Sequence, residues 1–136
     1  MLMYKIEYSE LLRNAKMQKK RKETHLLNGE ARRLVYHVLS DIIESIEIGK
    51  FRNRTNQARI KLYQITVSYN NRVLVESIRR YSTGIKTFHF QSRVELKSGM
   101  DALNYVLKKI GLESEIKEDG DITTISLFHT QCEREP

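Results

Sequence analysis

Cysteine and proline are nearly absent from this chain: one of each in 136 residues, beside six glycines. The lone Cys132 rules out an internal disulfide framework and fits a reducing compartment. So little proline and glycine leaves no room for a low-complexity linker. No apolar run approaches the 18 residues a membrane-spanning helix needs. The start, MLMYKIEYSE, has no apolar stretch of the signal-peptide kind. These absences point to a cytoplasmic protein with no membrane partner.

Catalytic signatures are missing too. HExxH, CxxC, GxxxxGK[ST] and GxSxG do not occur, and His25, His37, His89 and His129 are scattered. One cysteine cannot build a thiolate zinc site. The acidic residues Glu113, Glu115, Glu118, Asp119 and Asp121 match neither a calcium loop nor a separated acid–base pair. The expectation is a non-enzymatic protein with no cofactor and no metal.

What the chain does have is positive charge, unevenly spread. The net charge is +7. Residues 1–100 hold 20 Lys/Arg against 9 Asp/Glu, a surplus of 11 cations, whereas residues 101–136 hold 4 against 8, a surplus of 4 anions. A basic excess favours a polyanionic partner, because neutralised phosphates release their counterions.

Apolar residues make up 40% of the chain, enough for one domain with a real core. A helix is predicted to open near Ser9 and run through LLRNAKMQKKRKETHLL. Its cations from Arg13 to Lys22 have no acid among them, so it needs a partner or will fray. EARRLVYHVLSDIIESIEIGK is a second helix, with Leu34, Val35, Val38, Leu39, Ile42, Ile43 and Ile46 in one stripe and Gly49 to end it. That stripe is core or the seam of a homodimer through residues 30–48.

From residue 60 the period drops to two. IKLYQITVSY alternates Tyr63, Ile65, Val67 and Tyr69 with Leu62, Gln64, Thr66 and Ser68. A two-residue turn at Asn70-Asn71 leads into RVLVESI, and IKTFHF is a third strand. A helix capped by Ser98 and Asp101 follows and ends at Gly111. LESEIK and ITTISLF form a hairpin about Asp119-Gly120, with Glu113 and Glu115 on the solvent face, and HTQCEREP is a polar tail. The expected fold is α+β: an antiparallel sheet with a packed helix, β-β-β-α-β-β, after two N-terminal helices. The expected division is a basic helical region over 1–58, an α+β domain over 59–130 and a tail over 131–136.

The candidate binding residues are cations around the sheet. Arg72, Arg79 and Arg80 lie on the second strand and its exit, Lys86 on the third strand, and Arg93 before the helix. Phe88 and Phe90 share a face with Lys86 and suit a core. Arg52, Arg54 and Arg59 crowd an acid-free connector, placed for non-specific phosphate contacts. Arg and Lys bridge phosphates and reach guanine edges, and a β-ribbon enters the major groove as well as a helix does. Without a paired aromatic platform, single-strand stacking ranks below duplex binding.

One resemblance adds to this. RRYSTGIKTFHF, a helix ending KKIGLES, and EIKEDGDITTISLF resemble the C-terminal domain of the MotA middle-promoter activators of T-even phages. The likeness covers about residues 60–128. It rests on Arg79, Arg80, Gly84, Ile85, Lys86, Phe88, Ile110, Gly111, Ile116, Gly120 and Ile125. It implies a double-wing domain that binds duplex DNA through β-wings, with Arg79, Arg80 and Lys86 as the matching cations. It also implies a phage protein regulating transcription or taking over host nucleic-acid processes, with host RNA polymerase as a possible partner. Residues 1–58 do not resemble the sigma-binding domain of that family, and the stretch after Phe90 is shorter here. Two other readings stay open: a module whose basic face docks on a host enzyme, and an RNA-binding translational regulator.

Overall fold

Among the described residues, the periodic segments form three helices and five strands. The computed structural model describes residues 8–21, 27, 29–47, 59–77 and 85–130, with only the backbone at 59, 60 and 130. The elements are α1 (Tyr8–Lys20), α2 (Gly29–Glu47), β1 (Arg59–Val67), β2 (Arg72–Ser77), β3 (Ile85–His89), α3 (Arg93–Ile110), β4 (Glu113–Asp119) and β5 (Ile122–Thr130). All strand pairs are antiparallel, in the order β3-β2-β1-β5-β4. The α+β architecture expected from the sequence is the observed one.

The helices cover one face of this sheet. Tyr63, Ile65, Val73, Val75, Phe88, Ile125 and Leu127 point to that face and share a buried cluster with residues of the three helices. The stripe of α2 is core: Leu34, Val35, Val38, Leu39 and Ile42 are fully buried within the chain. Leu11 and Ala15 of α1 join the same cluster. Asn14 also donates its Nδ2 to the Ile110 carbonyl at the end of α3 (3.4 Å). The like-charged first helix is therefore held by apolar packing, which outweighs i,i+4 repulsion of a few tenths of a kcal/mol, on the order of 0.2–0.5 per pair.

Inside this core sits one strong polar contact. The Tyr63 hydroxyl donates to Asp41 Oδ2 at 2.7 Å, with both residues buried. Tyr8 stacks on His129 with ring centroids 4.1 Å apart. His129 is thus a buried strand residue rather than part of a polar tail.

Three local details differ from the sequence reading. The β1–β2 turn has three residues, not two. Ser68 and Arg72 bracket Tyr69, Asn70 and Asn71, the Ser68 N–H donates to the Arg72 carbonyl (2.9 Å), and Asn71 takes a φ of 63°. Asparagine tolerates that left-handed conformation better than most side chains. Next, the alternation of β1 breaks where the register shifts between Lys61 and Tyr63. A bulge there lets Leu62 and Tyr63 both be buried.

The third detail is the cap of α3. Ser92, not Ser98, is the N-cap, and its hydroxyl accepts the Glu95 N–H at 3.2 Å. Ser92-Arg93-Val94-Glu95 has the S-x-x-E spacing of a capping box, six residues before the shortened one at Ser98 and Asp101. Gly111 ends the helix in the left-handed conformation, as expected, with its N–H on the Leu107 carbonyl.

Candidate nucleic-acid interface

Strand pairing decides which cations meet. Tyr63 lies opposite Ser77, and Glu76 opposite Ile85. The start of β1, the end of β2 and the start of β3 therefore share one end of the sheet. Arg52, Arg54, Arg79 and Arg80 lie outside the described residues. The residues that bracket their segments, Arg59 on one side and Ser77 and Ile85 on the other, belong to this same end.

Two further cations lie on the sheet, one at this end and one nearer its middle. Lys86 is exposed on β3 and faces the helix side of the sheet, opposite Val75. Lys61 is on the open side, half-buried, and donates its Nζ to Gln64 Oε1 at 2.9 Å. Lys86 pairs through Val75 with Ile65, three residue levels from Lys61 and three from Arg72, so it stands at mid-sheet, on the opposite face from Lys61. Lys61 was not among the sequence candidates, because alternation alone does not show which end of β1 adjoins the β2–β3 connection.

Arg72 and Arg93 sit at the other end. Arg72 is exposed on the open face opposite His89. Arg93 is the first residue of α3. The Phe90 N–H donates to the Asn71 carbonyl at 2.9 Å, tying the lead-in of α3 to the β1–β2 turn. Arg93 and Lys97 line a shallow groove there with Tyr69 and Asp121. A strand of six residues at 3.4 Å per residue puts the two ends of β2 ~17 Å apart. The candidates therefore do not form one patch: Arg59 and Lys61 mark one end of the sheet, Lys86 stands at mid-sheet on β3, and Arg93 and Lys97 share a mixed-charge groove with Asp121.

A third basic surface is the outer side of α1, where Arg13, Lys16 and Lys20 line a groove with Leu12 and Met17. Lys16 pairs with Glu47 at 3.0 Å. Such an exposed pair contributes little stability.

Acids are not excluded from the Lys61 end of the sheet: Glu76 is on the open face between Gln64 and Ile85, and Glu113 lies level with Lys61 across Phe128. Glu113, Glu115, Glu118, Asp119 and Asp121 against the single Lys117 fill the β4–β5 hairpin. Glu113, Glu115, Lys117 and Asp119 share the open face of β4, as alternation requires. β4 is four strand spacings from β3, ~19 Å at 4.8 Å each, and two from β1, which carries Lys61.

The open face itself carries Gln64, Thr66, Leu74, Thr87, Thr124 and Ser126, none of them fully buried. No helix of the structure is long and apolar enough to cross a membrane. Among the described residues, no group of three His, Cys, Asp or Glu could hold a metal ion. Comparison with protein-family models, with curated proteins and with solved structures found no match for this chain.

Proposed function

We propose that this chain is a non-catalytic duplex-DNA-binding protein that engages phosphates with Arg59 and Lys61 at one end of the sheet and with Lys86 on β3. The carrying observation is the separation of charge. The acid-free segments with Arg52 and Arg54 and with Arg79 and Arg80 join the sheet at that one end. Most of the acids of the sheet lie along the β4–β5 edge, with Glu76 and Glu113 as the two that stand near the basic end. Field lines from such an arrangement steer a polyanion to one side and keep it off the other. Lys61 and Lys86, on opposite faces, would straddle a phosphate backbone rather than contact one strand of it. The likeness of residues 60–128 to the phage activator domain points the same way, and with it to regulation of transcription or of host nucleic-acid processes.

Salt-titrated binding tests this reading on duplex DNA, single-stranded DNA and RNA in parallel. Six or more phosphate contacts would weaken duplex affinity on the order of a thousandfold between about 50 and 200 mM salt. Arg79→Ala combined with Lys86→Ala would weaken duplex binding and leave the fold intact. No duplex binding at low salt, or a stronger preference for single-stranded RNA, would overturn the reading. So would unchanged affinity in the folded double variant.

A further inference from the structure

The two edges of the sheet are finished differently. At the β3 edge, the outward His89 N–H donates to Glu30 Oε2 of α2 at 2.9 Å, and Phe88 is buried under that helix. Glu30 is fixed in turn by Arg33. At the β4 edge, every residue from Ser114 to Asp119 is exposed, and Ile116 keeps 61% of its surface in solvent. An unpaired strand edge is a template for another strand unless something blocks it. Charged residues are the usual block, and β4 has five.

Their order separates the possible registers, and one of them joins unlike charges around an apolar pair. Two copies related by a two-fold axis normal to the sheet pair their β4 strands antiparallel, with both helix layers on the same side. Opposed residues then share a face, so the register moves only in steps of two. Centred on Ile116, the strand ESEIKED sets Ile116 against Ile116, Glu115 against Lys117 twice, and Ser114 against Glu118 twice. Glu113 meets Asp119 only at the strand ends, where pairs fray. One step toward the N-terminus sets Glu113 against Lys117 twice but opposes Glu115 to Glu115 and leaves Ile116 against Ser114; one step the other way opposes Lys117 to Lys117 and Glu115 to Asp119 twice. Like charges directly opposed destabilise a sheet, and opposite charges support it.

We propose that β4 is a self-association edge: a second copy of this chain adds its β4 in the Ile116-centred register and makes a continuous ten-stranded sheet. This is a closed, isologous contact of the commonest symmetry. It uses a different surface from the α2 stripe, which is spent inside the core. It does not depend on what the chain binds.

Sedimentation velocity on the full chain from micromolar to millimolar concentration tests the pairing. The expected result is a reversible monomer–dimer equilibrium. Lys117→Glu turns both central pairs repulsive and would raise the dimer dissociation constant roughly tenfold or more. Adding Glu115→Lys to Lys117→Glu re-forms the pairs in reverse and would return affinity to within about threefold of the parent. Ile116→Lys, which opposes two lysines at the centre, would leave a monomer. All these positions are exposed, so the variants should keep the far-ultraviolet dichroism of the parent. A monomer at every concentration would overturn the proposal. So would a dimer indifferent to these changes, or a loss at Lys117→Glu that the double variant fails to repair.

Discussion

The β3 and β4 edges belong to one sheet and differ in almost every respect. β3 is five residues long, has Lys86 as its one formal charge, buries Phe88, and has a helix beside it. β4 is seven residues long, strongly acidic, and exposed on both sides. A core can afford only as much helix cover as its apolar residues require, and here three helices cover the β3-β2-β1-β5 side. What lies beyond that cover is held by backbone pairing to β5 and by whatever its charges permit. The difference separates residues whose removal unfolds the chain from residues whose removal changes only its partners.

Substitutions should expose that separation, beginning with the largest effect. Phe88→Ala empties a fully buried site at the closed edge and should lower unfolding free energy by about 3–5 kcal/mol. Ile116→Ala at the open edge should stay within about 0.5 kcal/mol. Urea unfolding of the two variants measures both. Similar losses would mean that β4 is covered as β3 is.

Gly99→Ala is the next largest. A methyl group at that helix position would stand 2.8 Å from Cε1 of Phe90, just past the end of β3. The ring must shift in a packed core, at a cost of about 1–3 kcal/mol. A neutral result would show that the ring has room to move.

Glu30→Ala should have the smallest effect on stability, about 1 kcal/mol or less, because water can replace the carboxylate at an exposed site. Its signature is local. The His89 amide should exchange with solvent faster while the amides of β1 keep their protection. Unchanged exchange at His89 would mean that Glu30 does not close that edge.

Much of this was legible in the sequence. The stripe of α2, the alternation of Ile65 and Val67 and the glycine at 111 are local signals, and local rules read them correctly. The bulge at Leu62 was not legible, because it is fixed by pairing to β5, which lies some sixty residues away. The cap at Ser92 is legible, since Ser92 and Glu95 have the spacing of a capping box, but Ser98 and Asp101 share that spacing and compete with it. Among the candidate cations, Arg72, Lys86 and Arg93 are close in sequence to one acid-free run. The fold sends Arg72 and Arg93 to one end and Lys86 to mid-sheet, because β2 and β3 traverse the sheet between them. Lys61 is placed relative to Lys86 only through the β1–β2 register, which no local pattern encodes.

The claim at the centre of this account is that a polyanion meets Arg59 and Lys61 at one end of the sheet and Lys86 on β3, and avoids the acidic hairpin. Amide and lysine side-chain NMR signals, followed as duplex DNA is added at low protein concentration, test it residue by residue. The account predicts shifts at Lys61, Lys86 and the residues bracketing the two basic segments, with residues 113–122 unmoved. Shifts concentrated in residues 113–122, or none anywhere, would contradict it.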